Sequence, residues 1–437
     1  QIGHVLTRKN QVELEKVNSS GGVFAPTIRY NNGRFYMVTT NDTTHRNFYV
    51  YTDDIHGEWS DPITIDQDGI DPSLYFEDGR AFFISNGTDC EGKGGVVQCE
   101  INIETGEKLT ESRCIWQGSG GRYLESPHMY KIGKYYYLMA AEGGTEYGHM
   151  ITYARSESVW GKFEGYPHNP VLTNRNKAPF IIQGIGHGDL IQDKNGEWHI
   201  ICLGFRQIHM WMTYHHLGRE CFLIPVTFHK DGWFTAGNGT CEESYELSGD
   251  FAQLPLKTYT LENIGHDICH LRHPNTENYS ITKDKITLKG TDVTLDDVAS
   301  PTFAGVRQRD FDMDCSVSVS VSDGEGGLTV YSCETEHYDL ALRKNEGGYE
   351  AILRLNIGGI RHIEKAVQIP SGDAKLIIRS DSQVYKFFVQ SQGEEIPMGF
   401  AMSKYLSSEV CGGFTGTVIG MYAVKGSAEF TDLRISY

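Results

Sequence analysis

The chain has 437 residues, 39 basic and 57 acidic, for a formal net charge of −18 with neutral histidine. That length exceeds a usual single domain, so two domains are expected; the acidic balance argues against a nucleic-acid or anionic-membrane binder, which needs a cationic face. Glycine at 49 residues, aromatics at 11% and charged residues at 22% argue against disorder and favour a turn-rich β protein.

Four segments repeat one design, a short strand opened by a polar or small residue, a glycine turn and an aromatic-rich strand. They are FAPTIRYNNGRFYMVTT (24–40), DPSLYFEDGRAFFISNG (71–87), ESPHMYKIGKYYYLMAAEG (125–143) and HGDLIQDKNGEWHIICLG (187–204). Their turn glycines Gly33, Gly79, Gly133 and Gly196 lie 46, 54 and 63 residues apart. Asn-Gly or Asp-Gly between alternating apolar runs is a hairpin signal. A third strand follows each pair, in NFYVYTDD (47–54), GVVQCEIN (95–102), GHMITYARS (148–156) and ECFLIPVTFHKDGW (220–233). Antiparallel units of this length predict β-propeller blades rather than a sandwich of regular hairpins, because the inner strand opens alike in each.

The text changes near residue 250. All six tryptophans (59, 116, 160, 198, 211, 233) precede it, and period-two stretches follow: CSVSVSV (315–321), EAILRLNI (350–357), AKLIIRS (374–380) and EFTDLRIS (429–436). These predict a half-buried antiparallel β-sandwich over 251–437 behind a propeller over 1–250. Ten scattered cysteines show no zinc-type spacing; they read as buried free thiols, which leans towards a reducing, cytoplasmic compartment. No apolar run approaches the ~18 residues of a membrane span. The chain opens on Gln1 without a signal-peptide pattern.

Inner strands of a propeller run beside its axis, so the residues opening them converge. Aligning the repeats on Pro26, Pro72, Pro127 and Gly188 brings Phe24, Asp71, Glu125 and His187 to equivalent openings. Any one acid before proline reads as a turn residue; two acids and an imidazole converging beside an aromatic form a candidate site with mutually displaced pKa values.

The runs GVFAPTIRYNNGRFYMVTTN, GIDPSLYFEDGR, GGRYLESPHMYK, AEGGTEYGHM, GHGDLIQDKNGEWH and HHLGRECFLIPV resemble glycoside hydrolase family 43, nearest its β-xylosidase/α-L-arabinofuranosidase members. SPTFAGVRQRDFD, GLTVY, HYDLAL and EVCGGFTGTVIGMYA are similar to the β-sandwich appended to those enzymes. The resemblance implies a five-bladed propeller and an inverting glycosidase acting on xylo- or arabino-oligosaccharides. It maps the general acid to Glu125, the acid-tuning carboxylate to Asp71 and a channel histidine beside a divalent cation, commonly calcium, to His187. Sugar contacts fall on Arg219 and Thr145, and Phe414 closes the pocket. The aromatic before APTI, normally Trp, is Phe24, and Cys221 stands where Thr is usual. From the residues alone, His187 also reads as a satisfied channel histidine, Arg219 as an ion-pair partner and Phe414 as packing.

The family's general base is an Asp in an HPDPS-like motif of the first blade, which this sequence lacks. QIGHVLTRKNQVELEKV (1–17) resembles the segment leaving that blade, so the first blade is expected to be incomplete. Asp42 and Asp189 lie near inner strands but read as structural. A non-catalytic, sugar-binding propeller is therefore the alternative to a glycosidase. Open strand edges on the first blade would suit a second copy of the chain.

Overall fold

The computed structural model describes residues 1–208, 211–246 and 256–437. The first half holds four four-stranded antiparallel sheets. They are β1–β4 (Thr27–Asn31, Arg34–Asn41, Arg46–Thr52, Ile63–Ile65), β5–β8 (Ser73–Glu77, Arg80–Thr88, Gly94–Ile101, Arg113–Trp116), β9–β12 (Glu125–Ile132, Tyr135–Glu142, Met150–Ser156, Glu164–Gly165) and β13–β16 (Ile182–Gln192, Trp198–Arg206, Glu220–Phe228, Phe234–Ala236). The inner strands neighbour one another in turn, β1 beside β5, β5 beside β9 and β9 beside β13. These are the four predicted repeats in propeller order.

Local chemistry sets the hairpins. Asn32 and Gly33 (φ 49° and 88°), like Asp78 and Gly79 (φ 50° and 75°), take left-handed backbone. They close two-residue turns between Asn31 and Arg34 and between Glu77 and Arg80, as a type I′ turn requires. The blades then bury apolar faces against each other. Tyr36, Val38 and Tyr49 of the first sheet meet Leu74 and Phe83 of the second. Phe82 and Ile84 meet Leu138 and Ala140 of the third, and Tyr137, Met139 and Tyr153 meet Ile200 and Phe234 of the fourth. The other face of the first sheet, with Met37, Phe48 and Val50, is covered by Val5, Leu6, Val12 and Leu14 of the N-terminal segment.

The second half is the predicted sandwich. An eight-stranded sheet centred on Met313–Val321 and Gly426–Ser436 faces a six-stranded sheet containing Glu325–Cys333, Glu336–Asn345 and Val418–Val424. In the period-two strand, Cys315, Val317, Val319 and Val321 are all buried. The domain boundary expected at 250/251 lies outside the described residues. All ten thiols are free, but only Cys99, Cys202, Cys241 and Cys315 are buried, and Cys90 and Cys221 are exposed. The expectation of free thiols holds, and that of burial holds in part: the exposed pair sits in a turn and on an outward strand position.

The six-stranded sheet also buries an ion cluster. His337, with no solvent exposure, has Nδ1 2.9 Å from Asp339 Oδ1 and Nε2 3.2 Å from Asp296 Oδ1. Burial opposes its charge, but the two carboxylates prevail and hold the imidazolium up to about 9. A value above the unfolded ~6.5 means the contribution to stability is complete below pH 6.5 and is lost as pH rises through 9. His337→Gln is expected to cost about 3–5 kcal/mol at pH 6, and the gap to wild type to close by pH 10 in denaturant titrations. A gap independent of pH would show that His337 is not charged.

Candidate active site

The seven residues singled out from sequence line one cavity. Phe24, Asp71, Glu125, Thr145, His187, Arg219 and Phe414 share a space of about 300 Å³ with Ser20, Gly21, Val23, Ala25, Pro26, Ile70 and Thr415. It opens between the propeller's inner-strand ends and a loop of the sandwich.

Backbone conformation aims the polar groups. Asp71, Ser126 and His187 have φ of 54°, 60° and 46°, a region disfavoured for side-chain-bearing residues and found where a site holds strain. Each lies at a place where regular pairing stops or slips. Asp71 precedes β5, and the β9–β10 register shifts between Met139 and Ala141, opposite Glu125 and Ser126. The β13–β14 register shifts again between Gly186 and Asp189, around His187. Such bulges re-aim side chains. The loop running into Glu125 is itself tied down, because the buried Glu142 carboxylate on β10 accepts from the Ser119 and Gly121 N–H groups and from the Ser119 and Thr152 hydroxyls.

The sandwich delivers Phe414 through a close seam. Thr417 N–H donates to His216 O at 2.9 Å. A Cβ on Gly218 would lie 2.7 Å from Thr415 O, and one on Gly416 2.3 Å from Leu217 O. Both glycines take φ of 74°, so side chains are barred there twice over. The seam sets Arg219 5.0 Å from the Phe414 ring centroid, while Arg219 donates to Thr145 Oγ1 at 2.9 Å. Phe414 N–H donates to Ser20 Oγ at 2.8 Å.

Two carboxyls lie beside that guanidinium, Asp71 buried and Glu125 half-buried. Burial pushes Asp71 up to about 7, opposed by Arg219 and the Ser126 N–H. Burial and then the charge of Asp71 push Glu125 up to about 8, opposed by Arg219. The pair therefore titrates as a unit, Asp71 first, because only Asp71 has the backbone N–H. His187 Nδ1 is 3.8 Å from Asp71 Oδ2, and burial lowers the imidazole to about 4, aided by Arg219. His149 Nε2 lies 3.9 Å from Glu125 Oε1. Sequence reasoning passed over His149, although it stands in the same AEGGTEYGHM run as Thr145; a polar residue immediately before a strand was the available signal.

Asp189 and Asp42 do not line the cavity. Arg29 of β1 reaches across the axis to Asp189, with Nη1 2.6 Å from Oδ2 and Nη2 3.0 Å from Oδ1, and it also donates to His128 Nδ1 at 2.8 Å. The Tyr130 hydroxyl donates to the same carboxylate. Against the cost of burial, His128 and Arg29 hold Asp189 at about 2. The cation expected beside His187 meets this network. Calcium takes six to eight oxygen ligands, whereas His187 has the Asp71 carboxyl at 3.8 Å, the His128 ring at 6.0 Å and, in Asp189, a carboxylate already spent on Arg29 and Tyr130. That donor set is ill suited to calcium, and no chemistry below runs through a metal.

The sequence profile described as glycosyl hydrolases family 43 matches residues 1–234. The chain belongs to glycosyl hydrolase family 43. A second profile, the beta xylosidase C-terminal concanavalin A-like domain, matches residues 257–434 of this family 43 chain. It is 37% identical to the non-reducing end alpha-L-arabinofuranosidase BoGH43B of Bacteroides ovatus, over 97% of this chain and 82% of that protein. It is 30% identical to a xylosidase/arabinosidase of Butyrivibrio fibrisolvens, over 97% and 86% respectively. Among solved structures, GH43B of the Bacteroides ovatus xyloglucan locus superposes with a TM-score of 0.91 at 36% identity, covering 99% of this chain and 89% of that one. The xylan beta-1,4-xylosidase of Bacillus halodurans superposes with a TM-score of 0.90 at 27% identity, over 99% and 90%. The expected propeller-plus-sandwich fold and glycosidase family are thus established.

Both site acids sit above their unfolded values of ~3.9 and ~4.3, so the stability they allow is complete at low pH and is lost as pH rises through about 7 and 8. Glu125→Gln is accordingly expected to raise Tm at pH 8 and to leave it nearly unchanged at pH 4.5, by calorimetry. An equal effect at both pH values would contradict a destabilised carboxyl pair.

Proposed function

We propose that this family 43 chain is an exo-acting glycosidase that releases terminal arabinofuranosyl or xylosyl residues from hemicellulose-derived oligosaccharides with inversion of configuration. The observation that carries the reading is the placing of Glu125, Asp71 and Arg219 in the wall of one cavity, where burial, and next Asp71, push the Glu125 carboxyl up to about 8. Glycosidic cleavage needs a proton on the leaving oxygen as the ring develops oxocarbenium character, and an acid poised near neutrality supplies it best. The cavity, about 300 Å³, is at the small end of ligand pockets, a size for one terminal ring rather than a polymer chain. The names of the relatives, an arabinofuranosidase and a xylosidase/arabinosidase, support a pentosyl substrate.

Within this reading each residue has a task. Glu125 donates the proton; Asp71, ionised first, discourages Glu125 from losing its own proton to water. Arg219, oriented by Thr145 and covered by Phe414, hydrogen-bonds sugar hydroxyls with the guanidinium edge. Phe24 and Phe414 offer ring faces to the apolar face of the sugar. Inversion also needs a base to activate water, and Asp71 and Glu125 are the carboxylates among the described lining residues. That observation sustains the second reading, a sugar-binding propeller without turnover.

Glu125→Gln is expected to lower kcat on alkyl and sugar-aglycone substrates by about 10²–10⁴-fold, and to spare 2,4-dinitrophenyl glycosides, whose leaving group needs no proton. Wild-type turnover by the variant would remove Glu125 from the acid role. Proton NMR of the first-released sugar reads the anomeric outcome. Binding of arabinose or xylose without turnover, unchanged by azide, would favour the second reading; azide-stimulated turnover would favour the enzyme with its base outside the described lining.

A further inference from the structure

His149 is buried, with a fixed tautomer and one nitrogen left over. It stands directly before β11, where its N–H donates to Glu146 O and its carbonyl accepts from the Thr173 hydroxyl. The ring passes into the fourth blade against Gly186, where a Cβ would come within 2.2 Å of it. Nδ1 lies 3.1 Å from Gly184 O, and a carbonyl can only accept, so the proton is on Nδ1. The neutral ring then presents Nε2 as a bare lone pair. That atom is shut off from solvent and has no hydrogen-bond partner among the described residues, a condition that costs free energy unless a donor completes it. The group that Nε2 faces is the Glu125 carboxyl, 3.9 Å away.

We propose that His149 is the positioning residue of the Glu125 acid: its Nε2 lone pair accepts from the Glu125 carboxyl and is satisfied only while that carboxyl keeps its proton. The inference rests on the acid role given to Glu125 above. Contact at hydrogen-bond length needs a closure of about 1 Å. In the resting site Glu125 Oε1–H donates to Nε2, which fixes the plane of the carboxyl. A half-turn about the Cγ–Cδ bond exchanges the oxygens and turns the proton to the glycosidic oxygen. Once the proton has left, the carboxylate faces a lone pair with no donor, which favours its reprotonation for the next cycle. Gly186 acquires a reason as well, since any side chain there would displace the ring.

Three charged or titratable groups surround this pair, from the start of β5, from β13 and from the start of β15. Glu125 faces Asp71 and Arg219, and His149 faces His187 and Arg219. Burial holds His149 near 3 against the pull of the Gly184 carbonyl, and the Arg219 charge works in the same direction as burial, so it stays a neutral acceptor over the working range. A structural histidine would leave the ionisation of Glu125 alone; an acceptor aimed at it would not.

The test is the pH dependence of kcat/KM for His149→Gln, whose amide can turn a donor towards Glu125. Its alkaline limb is expected to move about one pH unit to the acid side, with the loss in kcat larger for alkyl than for 2,4-dinitrophenyl glycosides. A folded variant with an unmoved limb would overturn the proposal. Should the variant not fold, the wild-type protein decides: the ¹⁵N shift of His149 Nε2 is expected to follow the titration of Glu125 and to be flat over the same range in Glu125→Gln. An Nε2 shift that ignores Glu125 would overturn it equally. If Glu125→Gln shows no leaving-group dependence of its own, the acid assignment fails, and the ¹⁵N titration still decides the contact.

Discussion

One buried and one half-buried carboxyl share one guanidinium. Asp71 and Glu125 sit in a cavity where Arg219 is the lining cation, so the site cannot hold both acids ionised at neutral pH without a large desolvation cost. Much of the surrounding architecture follows from this constraint. Arg219 must be fixed, and Thr145 and the Phe414 ring fix it. The acids must be inequivalent, and the Ser126 N–H, presented from a left-handed residue, favours ionisation of Asp71 over Glu125. Water must be limited, and the loop around Phe414 covers one side.

The seam between the two domains is therefore part of the site rather than a spacer. Gly218 and Gly416 interlock within distances that no Cβ allows, and the residues beside them are Arg219 and Thr415. One backbone contact thus registers the propeller's guanidinium against the sandwich's aromatic ring. Across the axis, the Arg29–Asp189 pair joins the first sheet to the fourth. Its worth is geometric: a half-buried pair of this kind adds little net stability.

Much of this was legible in the sequence where the cause is local. Asn32-Gly33 and Asp78-Gly79 announce their hairpins because the turn geometry needs positive φ at adjacent residues. The repeats announce the blades, and the residues opening them announce Asp71, Glu125 and His187, because inner strands converge on an axis. The alternation from Cys315 to Val321 shows a strand with one buried face. What stayed hidden depends on distant partners. Asp189 could be set aside as structural, but its partner Arg29 is 160 residues away. The free face of His149 depends on which ring nitrogen Gly184 claims, a three-dimensional fact. Cys90 and Cys221 are exposed because strand ends and turns, not composition, decide which thiols meet water.

The central claim is that Glu125 holds its proton through neutrality because it is buried beside Asp71. The most direct measurement is a carbon-13 NMR titration of the Glu125 carboxyl in the intact protein, assigned by its loss in Glu125→Gln. The account predicts a midpoint near 8, falling when Asp71 is replaced by Asn. A midpoint at the ordinary ~4.3, indifferent to Asp71, would contradict it.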